Sequence, residues 1–406
     1  YILIDDDLRT LPIFLYILYS VSILLLFRNI VLCDIKPLAA LSICLGLILN
    51  SSFISGLYSL TASTLISILL VLILSIIFRV SKVNNYFLLF VLSILTMLVY
   101  QTRPNLAPLI FLAPVWLFFV TYLIKNISLK SSALISFFYL SFNLVLLSLF
   151  LLIRLISVGE FGTASFSGTV LSGQAVSYLD EKNVYDLDET SQVIGVDILK
   201  RKSLISAPCN KKRNELTHLD RNNCGNVWIM IAWLSAISLI DNEEPFEKKE
   251  LNIEPWKHKN LGSFFSRNNN DIDKVLGNFS FQVIKNNHKL AISRLLYTYN
   301  FAFKNFMKML TQNIEFMMVF LLSILGWMFR FSLNKKHFQK SIIKSKEFGL
   351  FVVFSFITIS YLLQVILISG AMMHFDYRYI LGSSVFLMPL FILLGSLSFI
   401  TELKKK

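Results

Sequence analysis

Charge is what this sequence is shortest of. Only 16% of its 406 residues are charged while 55% are hydrophobic, and the mean hydropathy is +0.65. Soluble domains carry roughly 25% charge, so an ordinary soluble fold is excluded. The apolar residues come in blocks of about 15 to 25, long enough to cross a ~30 Å hydrocarbon core as helix. A soluble core would break such blocks with polar positions every few residues. The signatures of soluble enzymes are missing too: there is no P-loop, GxSxG, HExxH or paired CxxC. The five histidines (His218, His258, His288, His337 and His374) are isolated, so no structural metal site is expected. Neither an internal repeat nor a matched pair of Gly/Pro-broken helices occurs, which argues against an inverted-repeat transporter.

What is present is a run of apolar segments with lopsided loops. Hydropathy predicts nine spans near residues 11–27, 37–50, 57–78, 86–100, 106–124, 132–157, 316–331, 348–369 and 380–400. The short second span and the Ser/Thr-rich start of the third leave room for a broken or re-entrant pair. Cations fill alternate short loops: Arg28 and Lys36; Arg79 and Lys82; Lys125 and Lys130; Arg330, Lys335, Lys336, Lys340, Lys344 and Lys346; then Lys404, Lys405 and Lys406. The opposite short loops and helix ends hold only Arg9, Arg103, Arg154 and Arg378. The positive-inside rule then puts the C-terminus in the cytoplasm and the N-terminus outside. With Asp34, Glu347 and Glu402, the basic side carries +12 of the net +13. The charge is a topology signal, and nucleic acid is not an expected partner. Tyr1 stands first, with neither an initiator Met nor a signal peptide, so an upstream helix is expected and the chain reads as a fragment.

Three regions follow: six spans in 1–157, a large external segment at 158–313, and three spans in 314–406. The external segment holds 19 Lys/Arg and 17 Asp/Glu, the balance of a soluble domain, and is expected to be mixed α/β or irregular. It opens on a small-residue run from Gly159 to Gly168, continuing to Ser172 and Gly173. Such a run suits a linker, or a loop whose backbone approaches a ligand; the linker is preferred. Val227 to Ile240 is too short to span and reads as a buried or interfacial helix. Residues 290–310 read as an amphipathic helix lying on the membrane. Cys209 and Cys224 lie where oxidation is permitted, and a disulfide between them is expected over two free thiols. Cys33 and Cys44, at or in the membrane, read as inert packing.

Chemistry is left to charges at the external helix ends. Asp5, Asp6, Asp7 and Arg9 precede the first span, Arg103 and Pro104 form the turn before the fifth, and His374, Asp376 and Arg378 precede the last. Ionisable groups at such depth are expensive unless partnered, so they are the default functional candidates. The stretch Gln101-Thr-Arg-Pro-Asn-Leu-Ala-Pro-Leu-Ile-Phe-Leu-Ala-Pro114 resembles the Arg-Pro element of GT-C glycosyltransferases. These are the membrane enzymes related to protein O-mannosyltransferases and lipid A aminoarabinose transferases. His374-Phe-Asp-Tyr-Arg-Tyr-Ile-Leu-Gly-Ser-Ser-Val-Phe-Leu-Met-Pro389 is similar to their late Arg-Tyr element, and Asp7-Leu-Arg-Thr-Leu-Pro12 to the approach to their second helix.

The resemblance implies an all-α polytopic enzyme that takes a sugar from a polyprenyl-phosphate donor on the outer face. The acceptor would be a lipid, glycan or protein. It also implies inversion, with an Asp general base removing the acceptor proton and Arg, Lys or a metal stabilising the leaving phosphate. On this reading one of Asp5, Asp6 and Asp7 is the candidate base, although that loop begins upstream of Tyr1. Arg378, Arg103 and Arg9 would bind phosphate, supported by His374, Asp376, Tyr377 and Tyr379. A divalent metal is left open as a cofactor. The expected setting is a bacterial inner or plasma membrane. An O-antigen polymerase or ligase is the alternative, and a transporter or flippase a more distant one.

Overall fold

The computed structural model describes residues 10–49, 62–83, 85–103, 106–158, 167–212, 215–217, 220, 224–241, 269–312, 314–333, 345–371 and 386–400. The first helices are α1 (Thr10–Val31), α2 (Pro37–Ile48), α3 (Ala62–Lys82), α4 (Tyr86–Thr102), α5 (Leu109–Phe119) and α6 (Leu129–Val158). A π-helical turn at Val120–Ile124 extends α5. Next come α7 (Ser167–Tyr178), α8 (Glu189–Ser203), α9 (Gly225–Asp241), α10 (Asn269–Asn286) and α11 (His288–Gln312). The chain finishes with α12 (Ile314–Leu333), α13 (Lys346–Ala371) and α14 (Leu387–Ile400). Among the described residues there is no β-strand, so where 158–313 is described it is mainly helical and not mixed α/β as expected. The chain forms two compact units. Unit 1 draws on Tyr1–Ile153, Lys304–Leu367 and Asp376–Lys406, and unit 2 on Arg154–Phe303 and Ile368–Phe375.

The architecture is all-α and of membrane type. Among the described residues four stretches are long and apolar enough to cross a membrane: Leu11–Val31, Thr64–Lys82, Leu129–Ser157 and Lys346–Leu367. Helices α2, α4, α5, α9, α12 and α14 are apolar but shorter. Helix α2, at 12 residues, reaches about 18 Å at 1.5 Å per residue.

Unit 1 is a bundle whose neighbours can be read from their contacts. Tyr19 donates to the Leu47 carbonyl at 3.0 Å and Cys44 Sγ to that of Ile23 at 3.7 Å, so α1 and α2 run antiparallel. Asn29 donates to Ser75 O at 3.0 Å and Cys33 to Phe78 O at 3.4 Å, so α1 and α3 run parallel. The ring pairs Tyr86–Phe138, Phe90–Phe142 and Tyr100–Phe150 climb together, which makes α4 and α6 parallel. Ser323 donates to Phe391 O at 2.6 Å and Trp327 to Leu394 O at 2.5 Å, making α12 and α14 parallel. A Cβ on Gly46 would lie 2.4 Å from the backbone of Pro389. Close approach of α2 and α14 therefore depends on that glycine, as in membrane helix pairs that associate through small residues.

One end of this bundle is fastened by charge. Asp34 sits in the left-handed region at φ 61, a conformation that Asp tolerates better than most residues. Lys82 and Lys346 both reach its Oδ2 at 3.4 Å, and Lys346 also donates to the Cys33 carbonyl at 3.5 Å. The end of α1, the end of α3 and the start of α13 are thereby drawn together. The Lys346 hydrogen bond, then the Lys82 charge, hold the Asp34 carboxyl below its ordinary range.

Unit 2 is built around α9. That helix is apolar on every side, the pattern of a core helix, and Trp228, Ile231, Trp233, Leu234 and Ile237 are buried. Helix α7 begins at Ser167 inside the small-residue run, so the part of the expected linker from 167 to 173 is helix instead; residues 159–166 lie outside the described residues. The reason is packing: a Cβ on Gly168 would stand 2.1 Å from the Asp273 carbonyl of α10. Asp273 Oδ1 in turn accepts from Thr169 N at 2.8 Å and Thr169 Oγ1 at 3.0 Å, a carboxylate placed where a helix N-terminus favours one. Asp188 caps α8 by accepting from Ser191 N at 2.8 Å, and Gln282 and Asn278 of α10 also donate to it. The Ser191 amide, then Gln282, pull its carboxyl down to about 2.

Cys209 and Cys224 form a disulfide with Cα atoms 5.4 Å apart. Trp228 Nε1 donates to the Cys209 carbonyl at 3.1 Å, and Lys202 Nζ lies 5.4 Å from the centre of the Trp228 ring. Helix α11 buries Ala291, Arg294, Thr298 and Ala302 along one line. It leaves Ile292, Leu296, Phe303 and Met307 exposed as an apolar stripe beside the exposed Lys304 and Lys308.

Candidate functional site at the Arg103 end of the bundle

Opposite the Asp34 cluster, α4 stops abruptly. Arg103 is extended (φ −149, ψ 99), its N–H closing the last turn on Val99 O at 3.0 Å. A residue ahead of proline is pushed out of the helical region, and Pro104 follows. The Arg103 carbonyl then accepts from Leu106 N at 2.9 Å, which turns the chain toward α5. The side chain is half-buried, toward the same end of the bundle as the buried Tyr361 of α13.

Tyr361 belongs to an aromatic group shared by three helices. Its ring lies 6.4 Å from Trp116 of α5 and 5.5 Å from Phe386, just ahead of α14. Trp116 and Phe386 are 6.3 Å apart, and Phe354 packs edge-on to Phe386 at 6.0 Å. Trp116 Nε1 donates to Ser360 Oγ at 2.9 Å. These edge-to-face pairs fix the rings beyond what area burial alone would do. One turn farther along α13 stands Gln364, which is buried.

Of the residues expected to carry chemistry, Arg103 is described and lies at this end. Asp5, Asp6, Asp7, Arg9, His374, Asp376, Tyr377, Arg378 and Tyr379 lie outside the described residues. Arg154, near the end of α6, is half-buried. Among the described residues of unit 1 the carboxylates are Asp34 and Glu347, at the far end, and Glu315, exposed in the first turn of α12. Among the described residues no group of three His, Cys, Asp or Glu side chains could hold a metal ion.

Sequence reasoning passed over Gln364 and the aromatic group. A lone carboxamide inside Ser-Tyr-Leu-Leu-Gln-Val-Ile-Leu was a visible signal, since polar side chains within a span are seldom idle. The aromatic group had no such signal, because Phe and Tyr occur throughout the spans. Chemically, this end of the bundle offers a permanent cation and a buried aromatic group. That arrangement suits an amphiphile with an anionic head. No protein family, curated protein or solved structure matches this chain.

Proposed function

We propose that this chain is a multi-pass membrane glycosyltransferase that takes a sugar from a polyprenyl-phosphate donor at the outer face. The observation that carries the reading is Arg103, half-buried and held at a bundle end by a helix stop. Guanidinium stays ionised and presents a planar fork of donors matched to phosphate oxygens. A membrane-embedded site suits this donor because its lipid tail remains in the bilayer.

In the proposed topology nine helices cross: α1 to α6, then α12 to α14. Residues 158–313 lie outside and the C-terminus in the cytoplasm. The antiparallel order of α1 and α2, and the Asp34 cluster joining the ends of α1, α3 and α13, support it. The basic loops then lie on the Asp34 side, as the positive-inside rule requires, and Arg103 faces outward. The stripe of α11 rests on the outer leaflet, its lysines toward lipid headgroups.

The reaction is a displacement at the anomeric carbon. The acceptor oxygen forms the new bond while the bond from that carbon to the phosphate oxygen breaks, and polyprenyl phosphate leaves with the electron pair. The acceptor proton passes to a carboxylate, assigned to one of Asp5, Asp6 and Asp7. Arg103, with Arg378 and Arg9, stabilises the leaving anion, an interaction that strengthens as charge develops.

The test is transfer by the purified chain in proteoliposomes given a polyprenyl-phosphate sugar with a labelled sugar. Release of polyprenyl phosphate, lost in Arg103→Ala and largely lost in Arg103→Lys, is the expected result. Activity on lipid-linked oligosaccharide blocks alone would replace the reading with a polymerase or ligase. No release from either donor would end both.

A further inference from the structure

Three buried side-chain carboxamides are described in unit 1, and two are bonded. Asn29 donates to Ser75 O at 3.0 Å and to Ser75 Oγ at 2.9 Å, and Asn143 donates to Ile110 O at 2.8 Å. Gln364 is 4% exposed, yet neither its Nε2 nor its Oε1 has a hydrogen-bond partner. The hydroxyls of Thr64, Ser132 and Ser136 and the Oδ1 of Asn143 also lack partners, but the hydroxyls are single small rotors and Asn143 keeps its Nδ2 bonded. A glutamine carries two donors and two acceptor lone pairs, so leaving it wholly unbonded is more costly. Leucine or methionine would fill the same volume without that penalty, and the flanking residues of α13 are apolar. The amide is therefore poorly explained by packing.

Its position indicates what it is for. Gln364 lies eighteen residues beyond Lys346 at the far end of α13, about 27 Å at 1.5 Å per residue, near the outer edge of a ~30 Å hydrocarbon core. On the helix it is three residues from Tyr361, a spacing that places side chains on neighbouring ground. Arg103 ends α4 at that same end of the bundle, away from the Asp34 cluster that holds Lys346. A cation and an amide that can both donate and accept thus share one end of the bundle with a buried aromatic group. The cation suits a phosphate. The amide suits a neutral group that also donates and accepts, which is the chemistry of a sugar hydroxyl.

We propose that Gln364 is a specificity-determining residue that hydrogen-bonds the hydroxyls of the sugar carried by a lipid-phosphate donor, while Arg103 meets the phosphate. The assignment rests on the glycosyltransferase reading. It adds the residue that tells a sugar-bearing lipid phosphate from a bare one.

The experiment uses the full chain in nanodiscs, with farnesyl phosphate and a panel of farnesyl-phosphate hexoses and pentoses as probes. Wild type should bind at least one sugar ester about tenfold more tightly than farnesyl phosphate. Gln364→Leu, and Gln364→Met as the closer match in shape, should erase most of that margin, as expected for losing one or two hydrogen bonds. Both variants should bind farnesyl phosphate as wild type does and unfold at no lower temperature. A lowered Tm with parallel loss of every probe would make Gln364 a packing residue and overturn the proposal. So would a sugar margin that survives both substitutions, or a wild type that prefers no ester. Those last outcomes leave the lipid-phosphate reading intact. Failure of wild type to bind farnesyl phosphate at all removes that reading, and this assignment with it.

Discussion

The two units of this chain handle polarity in opposite ways. Unit 2 spends it on structure: Asp188 and Asp273 bond helix N-termini, Arg201 pairs with Asp197 at 2.6 Å, Lys202 lies over Trp228, and a disulfide closes the segment beside it. Unit 1 has little polarity to spend. Its described ion pairs gather at Asp34, and its helices meet through apolar faces and close backbone approach at Gly46. On the proposed topology the contrast is that of two solvents. In water a helix end or a charge can be satisfied cheaply, so polar groups become structural parts. In hydrocarbon an unbonded polar group is expensive, so one that remains calls for a functional explanation.

That comparison can be broken by perturbations confined to one unit, each read by hydrogen exchange on the full chain in nanodiscs. Trp228→Ala should act most strongly, destabilising unit 2 by about 3–5 kcal/mol, the usual loss for a buried aromatic. Exchange in α13 should hardly change. Equal loss of protection in both units would mean that they fold as one.

Reducing the Cys209–Cys224 bond should cost unit 2 roughly 3 kcal/mol in the chain-entropy account of a loop this long. Protection should fall in α9 and its neighbours, with unit 1 unaffected. An unchanged α9 would show that the Trp228 anchor alone suffices.

Asp188→Ala should cost about 1 kcal/mol through the lost cap of α8. The same cap carries a pH signature. Because folding lowers this carboxyl from 3.8 to about 2, its contribution is complete above the ordinary pKa and is lost as pH falls through the folded value. Wild-type α8 should therefore loosen between about pH 4 and pH 2, more than the Ala variant does. Exposure of the group makes the effect a modest one. Identical acid profiles would remove the cap from the account.

Asp34→Asn should matter least, and less still at high salt, since all three partners are exposed to solvent. A larger cost would make the Asp34 cluster a structural keystone of unit 1.

Helix positions in unit 1 were legible because apolar runs of span length have few other uses. The stop at Arg103 was legible from Pro104, and the disulfide from two cysteines fifteen residues apart in a segment expected to be oxidising. Helix α7 was not legible. Small residues at 167–173 read as linker because their partner, Gly277 and Asp273 on α10, lies about a hundred residues away. The helical character of the described residues of unit 2 was hidden for a related reason: its polar helices α8 and α10 are held by bonds between elements, such as Asn278 and Gln282 to Asp188. For the site, Arg103 was singled out from sequence, while Gln364 gained meaning only once its amide was seen to be buried and unbonded.

A single assay can compare the two ends of the bundle. Arg103→Ala and Asp34→Asn chains are reconstituted at equal amounts and given a labelled polyprenyl-phosphate sugar, and released polyprenyl phosphate is counted. A loss of about a hundredfold or more is expected at Arg103, the scale seen when a donor to a developing anion is removed, with Asp34→Asn within about twofold of wild type. Equal activity in the two variants, whether both retained or both lost, would contradict the role assigned to Arg103.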